Sequence, residues 1–186
     1  MDACGVCDGP GSPCLGCTVA QASNFDPVAD TSDGTCTCTP AGSPLSDAAQ
    51  LETNASGGGL SQWQSFTSQV GGGLHSISID LASPLGTEPS PGTLRVYEGE
   101  GNEGTRVASV EVQIEPVALS VVQEFEFIDL VPIAQGQVYS WELTVPEQTV
   151  GYLALNNQNP YAGGRFGADE GTDAAFRVDV RACATE

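Results

Sequence analysis

The sequence predicts an all-β protein: an antiparallel β-sandwich of jelly-roll type with about eight strands, joined to a small disulfide-rich N-terminal module. Three observations carry that expectation. Apolar and polar residues alternate with period two from Ser61 onward. The 23 Gly and 12 Pro favour turns over helices. Six of the seven cysteines fall within the first 38 residues, a segment too poor in large apolar side chains to fold by burial alone.

Residues 1–40 form the Cys-rich module. Its larger apolar side chains are Val6, Leu15, Val19, Phe25 and Val28, so cross-links or a metal must supply the missing stability. Cys4-x-x-Cys7 and Cys14-x-x-Cys17 offer two thiolate pairs, the donor set of a tetrahedral zinc site. The spacer is short and no histidine or basic residue supports the pairs, so disulfides are the stronger reading and zinc the weaker one. Asp26, Asp30 and Asp33 place carboxylates in a turn-rich loop and are candidate calcium ligands; local backbone capping by the same side chains is the simpler alternative. The start, Met1-Asp2-Ala3-Cys4, lacks the basic and apolar stretches of a signal peptide, which suggests a mature form or a piece of a longer chain.

Residues 41–60 read as a linker, rich in Pro, Gly and Ser, with a short helical turn near Asp47–Leu51. Asn54-Ala55-Ser56 within it is an N-glycosylation sequon. Residues 61–186 hold the sandwich. Strands are expected near 62–69, 74–82, 93–99, 106–114, 123–130, 138–145, 150–156 and 174–182. An immunoglobulin-like sandwich would need a cysteine spacing that this segment lacks. Phe127 and Trp141 fall on the apolar phase and are expected in the core, and Trp63 opens the first strand. Cys38 and Cys183 flank the sandwich, and a bridge between them would tie its ends together.

Two stretches resemble known families. Asp2-Ala3-Cys4-Gly5-Val6-Cys7-Asp8-Gly9-Pro10-Gly11-Ser12-Pro13-Cys14 resembles the Asp-x-Cys-Gly-Val-Cys repeats of large secreted proteins, mostly of marine bacteria. Gly16-Cys17-Thr18, then Ala22-Ser23-Asn24-Phe25-Asp26-Pro27, then Asp33-Gly34-Thr35-Cys36 resembles their companion repeat. That resemblance implies a Cys17–Cys36 bridge. Together with Cys38–Cys183 it leaves Cys4, Cys7 and Cys14, an odd set from which one thiol can join a neighbouring chain or repeat. In the sandwich, Gly92-Thr93-Leu94-Arg95-Val96-Tyr97-Glu98-Gly99-Glu100-Gly101, Gln135-Gly136-Gln137-Val138-Tyr139-Ser140-Trp141 and the Asn156–Arg165 loop resemble accessory β-sandwich modules of bacterial surface proteins. This implies an extracellular module used for attachment or assembly.

Charge narrows the function classes. The formal net charge is −19, with 24 acids, five arginines and no lysine. So few cations disfavour nucleic acids and anionic membrane surfaces as partners, and no apolar run reaches the roughly 20 residues of a membrane span. The first 60 residues carry seven acids and no base, so both halves of the chain are acidic. An enzyme is not expected. His75, the only histidine, shares its phase with Ile77 and Ile79, and Glu124 and Glu126 read as a solvated strand face.

The best candidate site is the long loop from Asn156 to Asp173. Asn156, Asn157 and Asn159, with Tyr161 and Arg165, provide the amides, aromatic face and guanidinium that a carbohydrate site uses. Asp169, Glu170 and Asp173 are a second candidate calcium set. The competing reading is structural: amides capping the loop, Tyr161 packed over the strand ends, and Arg165 paired with Asp169 or Asp173. The expected function is a non-catalytic structural or adhesive module of a cell-surface protein or extracellular filament, whose partners are other copies of itself or neighbouring domains. A calcium-assisted carbohydrate-binding module is the alternative.

Overall fold

The computed structural model describes residues 15–17, 24–29, 31–32, 42–81, 88–116, 120–145, 152–167 and 171–182. These residues form thirteen strands, and none of them is helical. In chain order the strands are β1 (Leu15–Gly16), β2 (Thr31–Ser32), β3 (Leu45–Gln50), β4 (Ala55–Gly58), β5 (Ser61–Thr67), β6 (Gly72–Leu81) and β7 (Ser90–Glu98). They continue as β8 (Arg106–Ile114), β9 (Val121–Ile133), β10 (Val138–Thr144), β11 (Tyr152–Asn156), β12 (Asp173–Ala174) and β13 (Phe176–Arg181).

Among the described strands, all pairing is antiparallel apart from the short parallel pair β1 with β2, beside which Cys17 and Phe25 form an isolated parallel bridge. One sheet has the order β5-β10-β7-β8. The other runs β12-β11-β6-β13-β3, with β9 also paired to β6 and β4 to β11. Alternation dictates which faces meet. Phe66, Leu94, Val96, Trp141 and Leu143 from the first sheet join Ile77, Ile79, Phe125, Phe127, Phe176 and Val178 from the second in one apolar core. The fold is thus an antiparallel β-sandwich, with Trp141 and Phe127 in its core as the alternation required. Phe176 is where the layers lock: its ring centroid lies 6.4 Å from Phe66, 6.1 Å from Trp141 and 5.3 Å from Tyr161.

Three local features depart from expectation. The 41–60 segment is not a plain linker, and Asp47–Leu51 is not helical. Residues 45–50 are strand β3, laid along β13, and 55–58 are strand β4, laid along β11. Asp47 explains why the pattern is hard to read. It is the extra residue where the β3–β13 register shifts, and its buried Oδ1 accepts N–H bonds from Gln69, Val70 and Gly71 at 3.0, 2.5 and 3.3 Å. His75 is likewise skipped in the register of β6 with both β9 and β13. Fully buried Leu74 takes the inward place and His75 is only half-buried. Ser76 and Ser78, which alternate with the apolar residues of β6, are nonetheless buried on its far face, where the Ser76 hydroxyl donates to Glu124 Oε1 at 2.7 Å.

Cys17 is buried and disulfide-bonded. Cys4, Cys7, Cys14, Cys36, Cys38 and Cys183 lie outside the described residues, and with them the expected pairings.

The ring junction makes Phe176 the costly position. Phe176→Ala is expected to lower unfolding free energy by about 3–5 kcal/mol. Ile128→Ala, at a β9 side chain that is 96% exposed, should change it by less than about 0.5 kcal/mol. Urea titration of both variants checks the contrast, and equal losses would contradict this packing.

Candidate functional site

The loop between β11 and β12 folds back onto β5, the edge strand of its sheet. Ser65 N–H donates to the Arg165 carbonyl at 2.9 Å, Arg165 N–H to Ser65 Oγ at 2.9 Å, and Gly167 N–H to the Trp63 carbonyl at 2.9 Å. Thr67 Oγ1 donates to the Gly163 carbonyl at 2.8 Å. A loop thereby covers an edge that would otherwise present unpaired backbone groups. Glycine at 164 is required by this approach, because a Cβ there would run into the Ser65 carbonyl.

Beneath the loop lies a polar pair that alternation alone does not anticipate. Gln64 and Asp173 are both fully buried. Gln64 Nε2 donates to Asp173 Oδ1 at 3.1 Å and to the Ser65 carbonyl at 3.0 Å, while Gln64 Oε1 accepts from Ala174 N–H at 2.9 Å. Asp173 Oδ2 accepts from Tyr161 N–H at 3.0 Å. Burial pushes the Asp173 carboxyl above its ordinary range, and the Tyr161 N–H and Gln64 amide only partly pull it back.

The expected binding residues divide between two roles. Asn156 is buried: its Oδ1 accepts from Asn54 Nδ2 at 3.2 Å and from Gln158 N–H at 3.0 Å. Asn157 contributes its backbone N–H to Asn54 Oδ1 at 3.0 Å. Asn54 is therefore a clasp, and a glycan on its Nδ2 would displace the Asn156 contact. Tyr161 is half-buried, with its ring edge-on to Phe176 at 89° and its hydroxyl oxygen accepting from Thr67 N–H at 3.3 Å. Asn159 and the partly exposed Arg165, with Thr67, Val138, Glu100 and the Ala162–Gly164 backbone, line an open cleft of about 390 Å³. Asn157 is exposed but lies away from this cleft.

Among the described residues Arg165 pairs with Glu100 and not with Asp173, while Asp169 lies outside them. Arg165 Nε and Nη2 both reach Glu100 Oε1 at 2.6 Å, and the guanidinium lies 5.5 Å from the Trp63 ring centroid. Glu100 sits in the β7–β8 turn, held to β10 by Gly99 N–H to the Val138 carbonyl (2.8 Å) and Gly101 N–H to Ser140 Oγ (2.8 Å).

A second polar centre lies on the outer face of the same sheet. Glu142, paired in register with Trp63 and Arg95, is buried. Its Oε1 accepts from Ser61 Oγ at 2.6 Å and Asn102 Nδ2 at 2.7 Å, and its Oε2 from the Tyr97 hydroxyl at 2.9 Å, with Arg95 Nη1 3.5 Å away. Burial alone would raise this carboxyl, but the three donors and Arg95 outweigh it and hold the group below the ordinary carboxylate range.

Among the described residues no three His, Cys, Asp or Glu side chains gather as a metal shell. Asp26 Oδ1 accepts from Val28 N–H at 3.0 Å, a local turn bond. Asp30, Asp33, Asp169 and Glu170 lie outside the described residues.

No protein-family model and no curated protein matches this chain.

Glu142 yields a signed pH dependence. Its folded-state pKa is depressed, so its contribution is present above the unfolded value near 4.5 and is lost as pH falls through the folded value. Glu142→Gln should cost about 1–3 kcal/mol at pH 7. The gap to the parent protein should close below pH 4.5 in denaturation series at stepped pH. A gap independent of pH would contradict an ionised hub.

Proposed function

We propose that this protein is a non-catalytic extracellular module, structural or adhesive, of a cell-surface protein or extracellular filament. The observation that carries the reading is where the polar chemistry is spent. Gln64, Asp173, Asn156, Asn54 and Asp47 tie strands and loops together, and Glu142 ties three strands of one sheet. Such a molecule resists deformation rather than presenting activated groups. We read the strand orders β3-β13-β6-β9 and β5-β10-β7-β8 as jelly-roll connectivity, with β4, β11 and β12 as additions at one end. The likeness of the Cys-rich segment to secreted repeat proteins and the lysine-free acidic composition support an extracellular setting, with disulfides joining the module to its neighbours.

Carbohydrate binding is the second reading, favoured by the cleft bordered by Asn159, Glu100 and Arg165. Calcium at Asp26, Asp30 and Asp33 or at Asp169, Glu170 and Asp173 would be auxiliary to it. On the second set, Asp173 has each oxygen already accepting a protein hydrogen bond, so the direct role of that residue is internal.

Negative-stain electron microscopy with non-reducing electrophoresis of oxidised protein tests the structural reading. Disulfide-linked multimers or filaments that dissolve on reduction are expected. Monomers carrying seven free thiols would sink it.

A further inference from the structure

We propose that the cleft between the β11–β12 loop and the β7–β8 turn binds a neutral glycan through a vicinal diol, with Glu100 and Arg165 as its two contact residues. This rests on the carbohydrate-binding reading and moves its chemistry away from the amides. Both Arg165 bonds converge on a single oxygen, Glu100 Oε1. Glu100 Oε2 accepts no hydrogen bond within the structure described, and the guanidinium retains further N–H groups beyond those two bonds. A carboxylate acceptor and a guanidinium donor thus lie side by side at the mouth of the cleft. Adjacent sugar hydroxyls match that pair: one donates to Oε2 and its neighbour accepts from the guanidinium.

Charge selects the ligand class. The one cation lining the cleft is already matched by a carboxylate at 2.6 Å, in a protein of net charge −19. A sulfated or uronate polymer would have to break that pair inside a repulsive field. A neutral polyol meets no such opposition.

The pair is also preorganised, which lowers the entropic cost of binding. Trp63 backs the guanidinium, the Arg165 backbone is bonded to Ser65, and the turn carrying Glu100 is pinned to β10. The cleft volume of about 390 Å³ falls among small-ligand sites. Gly163 and Gly164 leave one wall as bare backbone, open to a ring.

The test is an array of neutral hexose oligosaccharides, uronate polymers and sulfated polymers, followed by calorimetry on the full chain. Neutral oligosaccharides should bind. Glu100→Ala and Arg165→Ala should each weaken them by about tenfold or more, whereas Asn157→Ala should stay within about twofold. Glu100 is half exposed, so its variant keeps the fold, and its unfolding curve verifies this. Preferential binding of uronate or sulfated polymers overturns the proposal and spares the carbohydrate-binding reading. So does neutral binding that is indifferent to Glu100→Ala. No binding to any polymer removes both.

Discussion

A buried amide–carboxylate bridge, Gln64 to Asp173, is the constraint on which the rest of this end of the molecule depends. It joins β5 in one sheet to β12 in the other. Through Tyr161 N–H it also sets the start of the loop that covers β5. Fully buried polar groups are costly unless satisfied, and here each donor and acceptor atom of the pair has a partner. The bridge in turn places Tyr161 edge-on to Phe176, so the polar link and the aromatic junction of the core share one corner. Arg165 and Asn159 reach the cleft only because the loop beneath them cannot drift.

Charge is distributed by the same economy. Three of the five arginines are matched to acids within the fold: Arg95 to Glu142, Arg165 to Glu100 and Arg177 to Asp179. Few positive groups remain to offset the acids outside, so the exterior is overwhelmingly anionic. Salt screens such a surface over distances of about 10 Å at 0.1 M. A surface of this kind resists casual self-association.

Period-two alternation made β6, β8, β9 and β10 readable, along with the burial of Trp141 and Phe127. It failed where one residue breaks the count. Asp47 in β3 and His75 in β6 are both skipped in register, and each moves its neighbours to the opposite face. Leu45–Gln50 also lacks β-branched side chains, so nothing local marks it as strand. The loop residues were identifiable by type but not by role. Whether Asn156 caps or binds depends on Asn54, 102 positions away. Glu100 and Glu142 escaped notice because their partners come from strands distant in sequence, brought together by register alone. A polar Gln at an inward phase, as at Gln64, was the one sequence signal that a buried polar link existed.

Amide hydrogen exchange at Tyr161 and Ala174, whose N–H groups donate to Asp173 and Gln64, tests the central claim most directly. If the bridge welds loop to sandwich, both amides exchange only through global unfolding, with the same opening free energy as the β10 amides. Exchange of Tyr161 near the unstructured rate, while β10 stays protected, would show that the loop opens independently and would contradict the account.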